Sequence, residues 1–252
     1  MKNLIFRILL TVFLAFTLLG CATTFNPATG RKELILIGTG TEKSIGNTSA
    51  SQIKEKYTLS EGGPDLDRLK RIGQRVAEAS DRKDLDYQFY LIEDKDMNAF
   101  TIPGGHVYIF RGLYDQLNDD EIASVMGHEI GHVAARHIVK KLQASLGYQI
   151  LSTIALVTFT KDSDDAKKTG AYIAYAASTS FNLVMLGYSR EDEYEADELG
   201  VKYARASGFD PRGLITSFEK MKEKEKKGSS VTYMLRSHPY LDERIKRIES
   251  ML

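Results

Sequence analysis

The chain has a single cysteine in 252 residues, so no intramolecular disulfide can staple it. It has no excess of either charge: 34 Lys and Arg stand against 34 Asp and Glu. The basic residues are scattered along the chain, which leaves no footprint for nucleic acid. There is no internal repeat and no low-complexity segment. Long apolar runs are also missing. Residues 142–159 and 170–187 come near the lower limit for crossing a bilayer, but Gln149, Ser152, Ser178, Ser180 and Asn182 dilute them. They are expected as two long helices of a buried bundle, separated by a charged loop over 161–168. A hairpin dipping into a membrane is the alternative.

What is present at the N-terminus accounts for the lone cysteine. Lys2 and Arg7 give a positive start, and Ile8 to Leu19 is apolar and uncharged. Leu18-Leu19-Gly20-Cys21 closes the run. Such a run is too short to span a membrane and reads as an export signal. It resembles a bacterial lipoprotein signal, with Cys21 as the acylated residue. Residues 1–20 are therefore expected as signal peptide, 21–40 as a lipidated tether and 41–252 as the working domain. Acyl chains on Cys21 would hold the protein at a membrane surface, each buried methylene contributing about 0.8 kcal/mol. Ala22 is not the Asp that retains lipoproteins in the inner membrane, which favours the outer membrane and a periplasmic location.

Further along, Asn26-Pro27 and Thr29-Gly30 are turn signals. Glu42 to Tyr57 is compatible with a helix. Pro64 to Ser80 is a better one, with Leu66, Leu69, Ile72 and Val76 on one face. Tyr87 to Ile92, Asn98 to Pro103 and His106 to Phe110 read as short strands, the second suited to an edge because Pro103 has no N–H to donate. Asn118 with Glu121 is close to a capping box and opens a central helix. Gly131 costs about 1 kcal/mol inside that helix, a cost acceptable where another element must approach closely. A last helix turns Leu241, Ile245 and Ile248 inward.

The central helix carries His128-Glu129-Ile130-Gly131-His132. Histidines four apart share one helix face and can hold one zinc ion, with the intervening Glu beside the space for a water. A catalytic zinc takes three protein ligands and keeps one position open. A third histidine six residues after the second would complete one class of site. Ile138 stands there, and Ala135 where that class has Gly, so this class is excluded. His137, about 140° round the helix from His132, is expected on another face or at the surface. A Glu from a later helix is the other route. The acidic stretch 190–198 offers Glu191 with Glu195, or Glu193 with Asp197, both pairs four apart. Spacing leaves both open.

His-Glu-x-x-His followed by Ser-Arg-x-x-Glu-x-x-Ala-Asp resembles peptidase family forty-eight of the zinc metallopeptidases. The resemblance extends to Asn98-Ala99-Phe100, Pro103-Gly104-Gly105, Gly112-Leu113, Ser237-His238-Pro239 and Glu243-Arg244-Ile245, and to the Asn-Pro-x-Thr-Gly opening after Phe25. It implies a gluzincin-type, predominantly helical α+β fold with a small mixed or antiparallel sheet beside the zinc-binding helix. It implies one zinc ion per chain, held by His128, His132 and Glu193, with Asp197 hydrogen-bonded to a ligand. Glu129 is then the general base. His238 is implied as donor to the oxyanion or as a cap on the fourth metal position, with a plain turn role as the alternative. Asn98, Ala99 and Phe100 are expected to receive substrate as an added strand. Tyr188 and Tyr240 remain equivalent as further donors, and His106 is expected to be structural. The family points to unfolded or misassembled envelope proteins as substrates, and to outer-membrane assembly machinery as a partner. A tethered chaperone that rarely cuts is the second reading, and a purely structural zinc the third.

Overall fold

Turn chemistry opens the fold in a computed structural model describing residues 23–146, 163–226 and 236–252. The Asn-Pro-Ala-Thr-Gly turn joins β1 (Thr23–Asn26) to β2 (Arg31–Leu34) as an antiparallel hairpin. Gly30 sits at φ +66°, a conformation that side chains resist. Asn26 donates from its amide to the carbonyl of Ala134 at 3.2 Å and to Glu33 at 3.0 Å. The stretch expected as tether is therefore held on the domain through Asn26. Cys21 and the expected signal lie outside the described residues.

Helix α1 runs from Thr39 to Lys56, three residues earlier than expected at its start. Pro64 occupies the first turn of α2 (Pro64–Ala77), and the anticipated apolar face is buried. Three strands follow: β3 (Gln88–Ile92), β4 (Ala99–Ile102) and β5 (His106–Phe110). Their order is β3-β5-β4, with β3 parallel and β4 antiparallel to β5. The sheet is thus mixed, and β4 forms an edge just before Pro103. A short helix α3 (Arg111–Tyr114) leads to α4 (Asp119–Ala134). The capping box is realised in both directions: Glu121 N–H to Asn118 at 3.0 Å and Asn118 N–H to Glu121 at 2.8 Å.

Every residue of α4 from Glu121 to Ala134 is buried, as befits a helix surrounded by others. It stops because Arg136 takes the left-handed conformation at φ 58°. A new helix, α5, runs over 137–146. Helix α6 (Ser163–Met185) packs on α1, where Ala176 and Ala177 are fully buried and Ser180 meets Ser49 at 3.1 Å. The charged residues from Ser163 to Lys168, expected as loop, instead continue this helix. The remainder of 142–159 beyond residue 146 lies outside the described residues, and no described helix is long and apolar enough to cross a membrane.

Helix α7 (Arg190–Ala206) begins at a second capping box, Ser189 with Asp192. It crosses α4 at very short range. A Cβ on Gly131 would come 2.8 Å from the carbonyl of Ala196, and one on Gly200 would come 2.9 Å from the backbone nitrogen of His128. The cost of Gly131 in the helix interior is explained by this approach. Helices α8 (Gly213–Lys226) and α9 (Leu241–Glu249) close the far side, with Leu241 and Ile248 buried and Ile245 packed against the core.

Candidate metal centre

The α4–α7 crossing brings the acidic helix onto the two histidines. His128 and His132 point their Nε2 atoms at each other, 3.0 Å apart. The other nitrogen of each ring is occupied. His128 Nδ1 lies 2.9 Å from Asp197, and His132 Nδ1 lies 2.8 Å from His137 Nδ1. Asp197 is an acceptor, so the single N–H of neutral His128 sits on Nδ1 and leaves Nε2 as a lone pair. Burial drives the proton off His132 and puts its pKa well below the ordinary histidine value. Two imidazole lone pairs so close together repel one another unless a cation lies between them.

Glu193 comes from the first turn of α7. Its carboxylate lies 3.4 Å from His132 Nε2 and 3.7 Å from His128 Nε2. His238 enters from the loop before α9, with Nδ1 at 3.2 Å from His128 Nε2 and 3.0 Å from Glu193. Tetrahedral zinc with ligand bonds of about 2.0–2.2 Å places its ligand atoms roughly 3.3–3.6 Å apart. The four groups offer ligand atoms all within 4.8 Å of one another. The donor set and its spacing fit zinc.

The charge states agree with that fit. Burial would raise Glu193, but Arg244 first and His238 next hold its pKa well below the usual carboxylate range. Asp197 is likewise lowered, burial being outweighed chiefly by Arg244. His238 is raised: burial opposes its charge, but Glu193 and Glu129 favour it more. Glu129 is raised by burial, only partly offset by His238 and His128. Neither carboxylate oxygen of Glu129 has a hydrogen-bond partner. Its nearest charged neighbour is His238 Nε2 at 3.5 Å. A buried carboxylate with no protein partner beside these four groups is placed to take a hydrogen bond from water.

Four residues stand differently from what the sequence alone suggested. His137 is buried rather than at the surface. The left-handed Arg136 ends α4, so extrapolating the helix past Ala134 placed His137 on the wrong face. Tyr188 and Tyr240 are no longer equivalent. Tyr188 is buried and stacks on His132 at 3.8 Å, its hydroxyl unpartnered, whereas Tyr240 is 41% exposed. Arg244 had no role assigned from sequence. It is fully buried and donates to Asp197 through Nε at 2.8 Å and Nη2 at 2.7 Å, while Nη1 pairs with Glu193. A signal for it existed: Arg244 lies on the same inward stripe of α9 as Leu241, Ile245 and Ile248, where a cation needs a buried partner.

Asn98, Ala99 and Phe100 are each buried, and the side-chain oxygen of Asn98 lacks a partner. His106 sits between Asn47, 3.1 Å from Nε2, and the Tyr90 hydroxyl, 3.2 Å from Nδ1. Burial, and to a lesser degree Lys54, lower its pKa from 6.5 to about 4. The folded chain therefore refuses a proton that the unfolded chain takes up near 6.5. Its contribution, on the order of 3 kcal/mol, is fully present above pH 6.5 and is lost as pH falls toward 4. His106→Gln is expected to flatten the pH dependence of the denaturation midpoint across that window. An unchanged slope between pH 4 and 6.5 would refute the assignment.

The helix pair, the buried cluster of His128, His132, Glu193 and His238, and the unpartnered Glu129 together define a metallopeptidase of mainly helical fold with small sheets. The chain belongs to peptidase family M48, whose model matches residues 65–252. It is a zinc metalloendopeptidase. It is 29% identical to the metalloprotease LoiP of Escherichia coli over 83% of this chain and 80% of that protein. It is 26% identical to the E. coli beta-barrel assembly-enhancing protease over 82% of this chain, spanning 42% of that longer protein. The crystal structure of S. mikatae Ste24p is similar at a TM-score of 0.44 and 21% identity, covering 80% of this chain and 55% of that one.

Proposed function

We propose that the protein cleaves misfolded or stalled outer-membrane proteins in the bacterial envelope, with His128, His132 and Glu193 as metal ligands and Glu129 as general base. The observation that carries this is the meeting of two Nε2 atoms 3.0 Å apart, the Glu193 carboxylate and an unpartnered Glu129 in one buried cluster. Bound zinc supplies the Lewis acidity that activates water and polarises the scissile carbonyl. Glu129, its pKa raised, takes the proton of the attacking water and passes it to the leaving amine. His238, whose pKa is raised by Glu193 and Glu129 against the effect of burial, donates to the developing oxyanion. Asp197 and Arg244 fix the His128 ring and the Glu193 carboxylate. Substrate adds as a strand along the β4 edge, with Asn98, Ala99 and Phe100 setting the strand in place once it is uncovered.

Residues 1–20 are proposed as the signal, with Cys21 as a lipid anchor to the outer membrane. Misassembled envelope proteins are the proposed substrates, and outer-membrane assembly machinery the proposed partner. The names of the relatives, a metalloprotease and a beta-barrel assembly-enhancing protease, support this reading. The test of the ligand set is metal analysis after dialysis. Glu193→Ala is expected to lose zinc while Glu191→Ala keeps it, and the reverse result would reassign the third ligand. The test of the substrate class is digestion of a misfolded outer-membrane protein beside its folded form. Equal cleavage of both sinks that part.

A second reading is a tethered chaperone whose site is mostly closed. The full burial of His238 against the ligand cluster, and of Asn98 to Phe100, favours it. Complementation of an envelope defect by Glu129→Gln separates the two: full rescue supports the chaperone, and none supports the protease.

A further inference from the structure

Four of the five histidines gather at the metal centre, and the reading above uses only three of them. His137 is the fourth. We propose that His137 is a positioning residue for His132: it accepts the Nδ1–H of His132, is itself oriented by Glu195, and so keeps the Nε2 lone pair of His132 directed at the metal. This rests on the reading of His132 as a metal ligand.

For neutral rings, the chain of contacts admits one set of tautomers. The His137 Nε2 atom lies 3.1 Å from Glu195 and 3.5 Å from Asp192, both carboxylates on α7. A carboxylate only accepts, so the N–H of neutral His137 is on Nε2. Its Nδ1 is then an acceptor, and it faces His132 Nδ1 at 2.8 Å. A bond that short between two ring nitrogens needs one donor, which is therefore His132 Nδ1–H. His132 is left with its lone pair on Nε2, the atom nearest His128 and Glu193. His128 is set in the same sense by Asp197. Each metal-facing histidine thus has its own acceptor, one a carboxylate and the other an imidazole backed by a carboxylate.

The backbone is shaped for this contact. The helix ends at Ala134, and Arg136 adopts φ 58°, an uncommon conformation for a residue with a Cβ. That reversal is what turns His137 back beneath His132. Tyr188 stacks on the His132 ring at 3.8 Å and shuts out water, so the buried Nδ1–H has His137 as its acceptor. The far end of the chain reaches the N-terminal hairpin, where Arg31 of β2 pairs with Glu195.

The test measures zinc affinity of the full chain by chelator competition. Asn places an acceptor oxygen where Nδ1 of His137 stands; Gln places it near Nε2, and Leu removes it. His137→Leu and His137→Gln are expected to weaken zinc binding roughly 10–100-fold, and His137→Asn to stay close to wild type. Should the Leu protein fail to fold, the Asn and Gln pair carries the comparison. Equal affinity in those two overturns the positioning role. His132→Ala is the control: zinc binding that survives it overturns the ligand assignment and this inference together. Binding lost there but unmoved by every His137 variant overturns this inference alone.

Discussion

Glu129→Gln is expected to lower cleavage of an unfolded protein such as casein by about 10²–10⁴-fold while zinc content stays at the wild-type level. Gln is nearly the same size and fills the same buried space, so packing on α4 is kept. What is lost is the ability to take a proton from water. Glu129 is not needed to hold the cluster together, since neither of its oxygens has a hydrogen-bond partner. Its raised pKa, caused first by burial, brings it nearer the working pH than an ordinary Glu, which suits a group that must both accept and release a proton. The measurements are single-turnover cleavage and metal content of the same preparation. Wild-type cleavage by this variant would remove Glu129 from the mechanism. Loss of zinc together with activity would show a role in holding the metal instead.

The second large effect lies at Arg244. Arg244→Leu is expected to destabilise the fold by about 3–5 kcal/mol, because it leaves the carboxylates of Glu193 and Asp197 without their buried cation. Removing one member strands the other charges in a dry site, whatever a packed apolar trio there would contribute. Burial opposes the charge on Arg244, yet its pKa is raised, since Asp197 and Glu193 outweigh the desolvation. Without it, Glu193 and Asp197 drift up toward protonation, and a protonated Glu193 is a poor metal ligand. Zinc affinity should therefore fall along with stability. Arg244→Lys keeps the charge but not the two-pronged hydrogen bond to Asp197, so it should fall between the two. Urea denaturation with and without added zinc reads both effects. A Leu variant as stable as wild type would show that the buried carboxylates are neutral in the fold.

Much of the site can be read from local pattern. His128 and His132 are four apart on a helix whose start is written by Asn118 and Glu121, and the helix and its cap are observed. Gly131 signalled a close approach, and α7 supplies it at Ala196. Glu193 and Asp197 share a face in any helix through 190–206, but Glu191 and Glu195 share another equally well. Spacing along one element is a local property, and it says nothing about which face meets a second element.

Arg136 shows the limit most clearly. A single left-handed residue redirects the chain, and no periodicity carries past it, so the fate of His137 could not be extrapolated from His132. Arg244 was hidden for a related reason. Its amphipathic stripe announces that something charged points inward, but the carboxylates that neutralise it are 47 and 51 residues earlier in the chain. The N-terminal hairpin looked like tether because turns and short polar strands have no core of their own; its anchor, the Ala134 carbonyl, belongs to the distant zinc helix.

The paired histidines, the helix that presents them and the capped start of that helix can be read from the chain, because these depend on neighbours within a turn or two. The long-range contacts are set by the fold: Glu193 and Asp197, named by the family resemblance where spacing left the pair open, face the histidines, Arg244 neutralises them, His137 stands behind His132, and Tyr188 rather than Tyr240 lies against the site. Those outcomes follow from how closely α4 and α7 cross, from the reversal at Arg136 and from what is shut away from water, where an unpaired charge or proton is costly and each group's partner sets its state.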